Sequence, residues 1–409
     1  MKQRLLCLLL LLAVLTGCSS SQMVVPGDTA STPKPPASVT PPGDETTETT
    51  EPEQVLPSED GTTRAQQILQ TMTLEEKLYQ LFCITPEALT GVGTAVQAGQ
   101  TTEQALSQYP VGGLIYFAQN IQTPAQVTEM LQNTQSYSKL GLFLAVDEEG
   151  GTVSRVASND QMGATRFPPM GQIGATGDTS KAYEAGLTIG QELHMLGFNL
   201  DFAPIADVNS NPQNPVIGER AFSSDAAVAS QMVAAAVQGF TDGGVLCCLK
   251  HFPGHGDTAT DSHQGYAQTD KTLEQMEQLE FLPFVSGIDA GAPMVMVGHI
   301  TAPNVTTDGL PASLSYELIT GILREQLGFQ GVVTTDALNM GAITESYTAG
   351  EAAVAAIGAG VDLLLMPEDF HEAYNGLLFA VQDGTISEAR IDESVLRILN
   401  AKLDAGILS

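Results

Sequence analysis

The stretch GVLCCLKHFPGHGDTATDSH (244–263) begins as a short, continuous apolar run and ends as a polar loop broken by Gly254 and Gly256. A run that is too short for a helix and apolar at consecutive positions reads as a parallel strand covered on both faces. The segment that follows carries three histidines and two aspartates between Lys250 and His263, a density of proton-transfer groups found nowhere else in the chain. Imidazole titrates near neutrality without help, and an aspartate two residues away orients it and raises its basicity. Asp261 and His263 are therefore the candidate acid/base pair.

Working outward, the same kind of apolar burst recurs as QLFCI (80–84), GGLIYFA (112–118), LFLAVD (142–147), FNLDFAPIADV (198–208), MVMVGHI (294–300), GVVTTDA (331–337) and VDLLLMP (361–367), which makes eight with GVLCCLKHF. Amphipathic segments fill most of the gaps, as in 123–138, 179–196 and 224–242. Thr73-Leu74-Glu75-Glu76 has the form of a capping box and predicts a helix start near the beginning of the folded part. Eight strands, each followed by helical sequence over about 350 residues, predict an α/β fold of the (β/α)8 TIM-barrel type, with a doubly wound open sheet as the alternative. A barrel requires its working residues at the carboxyl ends of the strands. Asp147, Asp207, Lys250 with His251, His299 and Asp336 end the third to seventh bursts in that manner.

The chain has 409 residues, is 43% hydrophobic and holds 40 glycines, enough for a full globular core. Its 16 basic residues against 47 acidic ones leave a formal charge of -31, which repels polyanions, so no nucleic-acid partner is expected. Lys2 and Arg4 precede an apolar run from Leu5 to Leu15, followed by Leu15-Thr16-Gly17-Cys18. That order is signal-peptide logic, and the run is short for a membrane span. It resembles a bacterial lipoprotein signal, implying cleavage after residue 17, lipid on Cys18 and an extracytoplasmic, membrane-tethered protein; a plain secretory signal is the alternative. Residues 18–61, rich in Ser, Thr, Pro and acid, read as a solvated tether, and 62–409 as the catalytic barrel. Cys83, Cys247 and Cys248 make no disulfide framework and sit in apolar surroundings, as small buried hydrophobes do.

Cleavage of a glycoside needs a proton donor for the leaving oxygen and, with retention, a carboxylate to attack the anomeric carbon. Asp336 has the type and position of that nucleophile, although an aspartate there could instead cap the following helix. His263 is then the acid, and later the base, with Asp261 fixing its orientation. Gly254 and Gly256 are expected to let the loop close over a sugar. Asp147, Arg155, Arg220, Lys250 and His251 read as binders of hydroxyl and acetamide groups, against surface ion pairing as the alternative for each arginine.

VDEEGGTVSR (146–155), IGERAFS (217–223), KHFPGHGDTATDSH (250–263) and TDALNM (335–340) resemble the motifs of glycoside hydrolase family 3, in its β-N-acetylglucosaminidase branch. The resemblance runs from about Met72 to the C terminus. It implies a retaining, exo-acting β-N-acetylhexosaminidase without metal or organic cofactor, with Asp336 as nucleophile, His263 as acid/base and Asp261 as its partner. It also puts Asp147, Arg155, Arg220, Lys250 and His251 on sugar-binding positions. Glu148 stands where many relatives have Gln. Larger relatives carry a second α/β domain after the barrel, and a single catalytic domain is the expectation here.

Other readings make different demands. His251, His255, Asp257, Asp261 and His263 could offer metal ligands, but their spacing matches neither HExxH nor a Cys/His zinc pattern. Adjacent Asp147 and Glu148 imitate the paired acids of substrate-assisted hexosaminidases. A phosphorolytic β-N-acetylglucosaminidase, or a non-catalytic sugar-binding lipoprotein, are further alternatives. With no Trp to stack long polysaccharides, the expected substrate is a small glycan, peptidoglycan fragments (muropeptides) foremost, acted on by a monomer.

Overall fold

The computed structural model describes residues 63–259 and 267–408. The signal, the tether, Cys18, Asp261 and His263 lie outside the described residues. The eight apolar bursts form one parallel sheet: β1 Phe82–Ile84, β2 Gly113–Ile115, β3 Phe143–Val146, β4 Leu200–Asp201, β5 Leu246–Phe252, β6 Met294–Val297, β7 Val332–Thr335 and β8 Leu364–Leu365. Neighbours in the sheet follow chain order from β1 to β7, and β8 pairs with β1 in the register Phe82 to Leu364 and Cys83 to Leu365. A parallel bridge between Thr334 and Leu363 joins β7 to β8 and closes the cylinder, with Leu363 N–H donating to Val333 O at 3.1 Å and Thr335 N–H to Leu363 O at 3.1 Å. The protein is a (β/α)8 barrel.

Helices cover the outside. Pro124–Ser136, Thr179–Leu196 and Ala226–Asp242 occupy the amphipathic segments expected to be helical, and Ala349–Ala359, Phe370–Gln382 and Glu388–Asp404 complete the later part of the ring. Leu74–Gln80 starts at the capping box: Thr73 Oγ1 accepts from Glu76 N, and the Glu76 carboxylate accepts from Thr73 N at 2.9 Å. Cys83, Cys247 and Cys248 are free and buried, and burial pushes the Cys247 thiol up to about 12. Among the described residues no helix is long and apolar enough to cross a membrane.

The amino-terminal ends of the strands are closed by buried polar groups with satisfied partners. Lys402 Nζ, fully buried, donates to Gln80 Oε1 and Gly141 O, both at 2.8 Å, and lies 5.1 Å from the Phe143 ring centroid. Gln80 also donates to Pro110 O at 2.7 Å, so one side chain ties the last helix to the turn before β2. In that turn Gly112 approaches so closely that a Cβ would meet Gln80 O at 2.1 Å. Gly112→Ala is expected to cost about 1–3 kcal/mol through backbone overpacking. Gly358→Ala, in a helix and facing open space, should gain about 0.5–1 kcal/mol. Urea unfolding of the two variants against the parent checks both signs.

Candidate active site

The strand ends converge as the barrel requires. Asp147 follows β3, Asp207 lies in the segment after β4, Lys250 and His251 belong to β5, His299 follows β6 and Asp336 follows β7. Of the residues singled out for chemistry, Asp147, Arg155, Arg220, Lys250, His251 and Asp336 line one pocket of about 310 Å³. That volume is at the small end of ligand sites and suits a single sugar ring better than a chain. Phe117, Val216, Met296, Met340 and Leu365 add apolar surface.

Local chain geometry explains how these groups reach the same space. Pairing between β5 and β6 shifts register between Leu249 and Phe252, which face Val295 and Val297. Such a bulge breaks the in-out alternation of a strand, and the consecutive Lys250 and His251 both line the pocket. The Lys250–His251 peptide bond is cis. Arg220 lies in a short 3₁₀ turn, Gly218–Arg220, held by Asn214. The Asn214 side chain accepts from Ile217 N at 2.7 Å and donates to His255 O at 2.7 Å, so the Arg220 turn is fixed to the loop that leaves β5.

Gly254 and Gly256 serve close packing in that loop, not the freedom to close that the sequence suggested. A Cβ on Gly256 would fall 1.8 Å from Val208 O, and Gly254, at φ +127°, is pressed against the Glu280 side chain.

The charges alternate around the wall. Arg220 grips Glu149 with two bonds of 2.9 and 2.8 Å. Lys250 Nζ sits 2.7 Å from Glu149 and 2.8 Å from Asp147, and Arg155 approaches Asp147 at 3.9 Å. Glu149 is 4% exposed; burial works to raise its pKa, but Lys250 and Arg220 prevail and hold the carboxyl at about 2. Arg220 is thus no surface ion pair. Asp336 is likewise held below the ordinary carboxylate range: burial opposes ionisation, and His251, His299, the Ala337 amide and Lys250 outweigh it. Asp336 does not cap a helix. It accepts from the adjacent Ala337 N–H at 2.8 Å, while the next helix, Gly341–Thr344, begins after Met340 without a side-chain cap.

The family model described as "Glycosyl hydrolase family 3 N terminal domain" matches residues 73–401. The chain belongs to glycosyl hydrolase family 3. It is 38% identical over 332 residues to beta-hexosaminidase A of Pseudoalteromonas piscicida, covering 73% of this chain and 54% of that protein. To a beta-hexosaminidase of Chromobacterium violaceum it is 37% identical over 278 residues, 66% of this chain and 76% of that one. In structure it is similar to a family 3 beta-N-acetylglucosaminidase from Paenibacillus sp., with a TM-score of 0.77 and 40% identity, covering 82% of this chain and 63% of that chain. The family 3 chain thus spans little more than half of the Pseudoalteromonas protein and under two thirds of the Paenibacillus one.

One residue of this family 3 site, Glu149, escaped the sequence reading. Glu149 lines the pocket, whereas Glu148 turns away: its carboxylate accepts from Val156 N at 2.6 Å and Ala157 N at 3.2 Å. The Asp147–Glu148 pair therefore does not present two acids to a ligand. Asp207, 1% exposed, accepts from the amide of His255 at 2.7 Å and lies 2.9 Å from His251 Nδ1. In the run Asp147-Glu148-Glu149 no local pattern marked the third acid, whereas Asp207 was legible as a strand-end residue. His299 reaches across to Ala337 O at 2.9 Å and so supports the backbone beside Asp336. Among the described residues no group of three His, Cys, Asp or Glu is disposed to hold a metal ion.

Glu149→Gln leaves two buried cations short of an anion and is expected to cost about 3–5 kcal/mol of stability. A carboxyl held below its unfolded value stabilises the fold above the unfolded pKa, and that stability is lost as pH falls toward about 2. Urea unfolding between pH 7 and 2 should therefore show a steeper acid loss for the parent than for the Gln variant.

Proposed function

We propose that this protein is a retaining exo-β-N-acetylglucosaminidase that hydrolyses terminal β-linked N-acetylglucosamine. The observation that carries the reading is an ionised Asp336 at the end of β7, facing a pocket of one-sugar size whose wall holds Asp147, Arg155, Arg220, Lys250 and His251. The names of the relatives, beta-hexosaminidase and beta-N-acetylglucosaminidase, support the choice of sugar.

In this reading an Asp336 oxygen bonds to the anomeric carbon as the glycosidic C–O bond breaks, and His263 gives its proton to the leaving oxygen. Water then attacks the same carbon, His263 takes a proton from it, and the bond to Asp336 breaks. Asp261 orients His263 and stabilises the imidazolium. The cations and Asp147 hold the ring hydroxyls and the acetamide through charge-assisted hydrogen bonds. Peptidoglycan fragments are the proposed natural source of substrate, and lipid on Cys18 the proposed tether to the outer side of the cell membrane. The N-terminal sequence supports the second of these.

The soluble fragment from Gly61 onward is expected to release nitrophenol from the β-N-acetylglucosaminide and not from the β-glucoside. Asp336→Asn should lower kcat/KM by more than about 10³-fold while leaving the fold intact. A folded parent that cleaves neither compound would sink the reading. Product analysis with and without phosphate separates hydrolysis from phosphorolysis.

A further inference from the structure

Asp207 is buried beneath the pocket and does not line it. Its side chain is completely inaccessible, so it has no route to a ligand. Yet it gathers three donors from the two ends of the segment that opens the loop after β5. The His251 amide lies 3.2 and 3.3 Å from its two oxygens, the His255 amide 2.7 Å from Oδ1, and His251 Nδ1 2.9 Å from Oδ2. Burial opposes its ionisation, but His251 first and His255 next bring its pKa below the ordinary value.

An ionised carboxylate accepts hydrogen bonds and donates none. The nitrogen of His251 that faces Asp207 must then carry the proton. The imidazole lines the pocket, and among the described residues no hydrogen bond is made by its other nitrogen, Nε2. Which ring nitrogen meets a ligand, and whether it arrives as acceptor or donor, is set by the bond on the opposite side of the ring.

We propose that Asp207 is a positioning residue that acts through His251: it locks the ring with the proton on Nδ1 and aims Nε2 at the sugar pocket beside Asp336. The inference rests on the proposed glycosidase reading for its kinetic consequence and on the hydrogen-bond geometry alone for the tautomer. It also accounts for the placement of an acid where no substrate reaches. An Asn at this position keeps an oxygen for one amide but turns a donor toward Nδ1, which reverses the preferred tautomer or swings the ring away.

Two measurements test it. In protein labelled with 15N-histidine, with the His251 signals assigned by their loss in His251→Gln, Nδ1 of the parent should be protonated across neutral pH. A bare Nδ1 in the parent overturns the proposal, whether or not the protein cleaves any glycoside. In a double-mutant cycle on the nitrophenyl β-N-acetylglucosaminide, Asp207→Asn should lower kcat/KM by about 10–100-fold in the parent, as loss of an orienting partner does. In the His251→Gln background the same change should cost less than about threefold, because residues acting as one unit are not additive. Equal losses in both backgrounds would assign Asp207 a role in the fold alone. Should Asp207→Asn fail to fold, the tautomer of the parent still decides. An inert but folded parent with Nδ1 protonated would count against the glycosidase reading and leave the orienting bond standing.

Discussion

A parallel sheet tolerates water on neither face, so the architecture depends on closing the row of eight strands into a cylinder. The closure is made by the shortest of partners: β8 contributes two paired residues to β1 and a single bridge to β7. Its consequence is directional. Because every strand runs the same way, residues separated by more than a hundred positions, such as Asp147 and Lys250, reach the same rim and bond at 2.8 Å. The opposite rim receives the strand beginnings, and its polar groups are of another kind. There Asp362, fully buried, accepts from Val333 N at 2.9 Å and is surrounded by Arg324, Arg390 and Arg397. Lys402 on the same side is enclosed by acceptors and an aromatic ring. These charges hold helices to the barrel; those at the mouth also face open space.

At the mouth, three cations in a partly dry pocket need anions beside them, or burial would expel them. Glu149 and Asp147 meet that need from inside the wall and leave the outer faces of Arg220, Lys250 and Arg155 toward the cavity. The pairing also restricts their movement, since Lys250 is held between two carboxylates and Arg220 is gripped at two points. A ligand rich in hydroxyl groups then meets donors and acceptors already oriented, without paying to order long side chains.

The strands were readable because apolar residues stand at consecutive positions, which only a sheet covered on both faces requires. The rim residues were readable because a charge at the end of such a run has nowhere else to be solvated. β4 was less legible: the burst 198–208 yields Leu200–Asp201 as regular strand, with Ile205 bridging to Lys250 beyond Pro204, which has no N–H to give to a ladder. Glu149 was missed because the hairpin after β3 obeys its own geometry. Gly150 and Gly151, both at positive φ, follow a turn in which Glu149 faces the pocket while Glu148 caps backbone amides. Asp207 was visible as a strand-end residue, but its three donors come from a segment more than forty positions later, and no local pattern announces them. Gly254 and Gly256 looked like hinges because spacing alone does not reveal that Val208 and Glu280 press against them.

The mouth gathers more acids than it has cations to match, and the fold sorts them. Asp147 and Glu149 share Lys250, while Asp207 and Asp336 lie within the influence of His251. Glu149, Asp207 and Asp336 all have pKa values below the ordinary range despite burial: Lys250 and Arg220 stand beside the first, and histidines and backbone amides face the other two, with Lys250 adding to the pull on Asp336. Among the described residues Glu148 and Asp201 have no cation in bonding distance, and burial raises both. Asp201 accepts one amide, from Glu148 at 2.9 Å, and among the described residues its second oxygen has no partner. Burial without a second partner disfavours the charged form in that position. The same residue type thus ionises readily where a carboxylate serves chemistry or orientation and less readily one layer away, and the difference comes from which partners each strand end offers it.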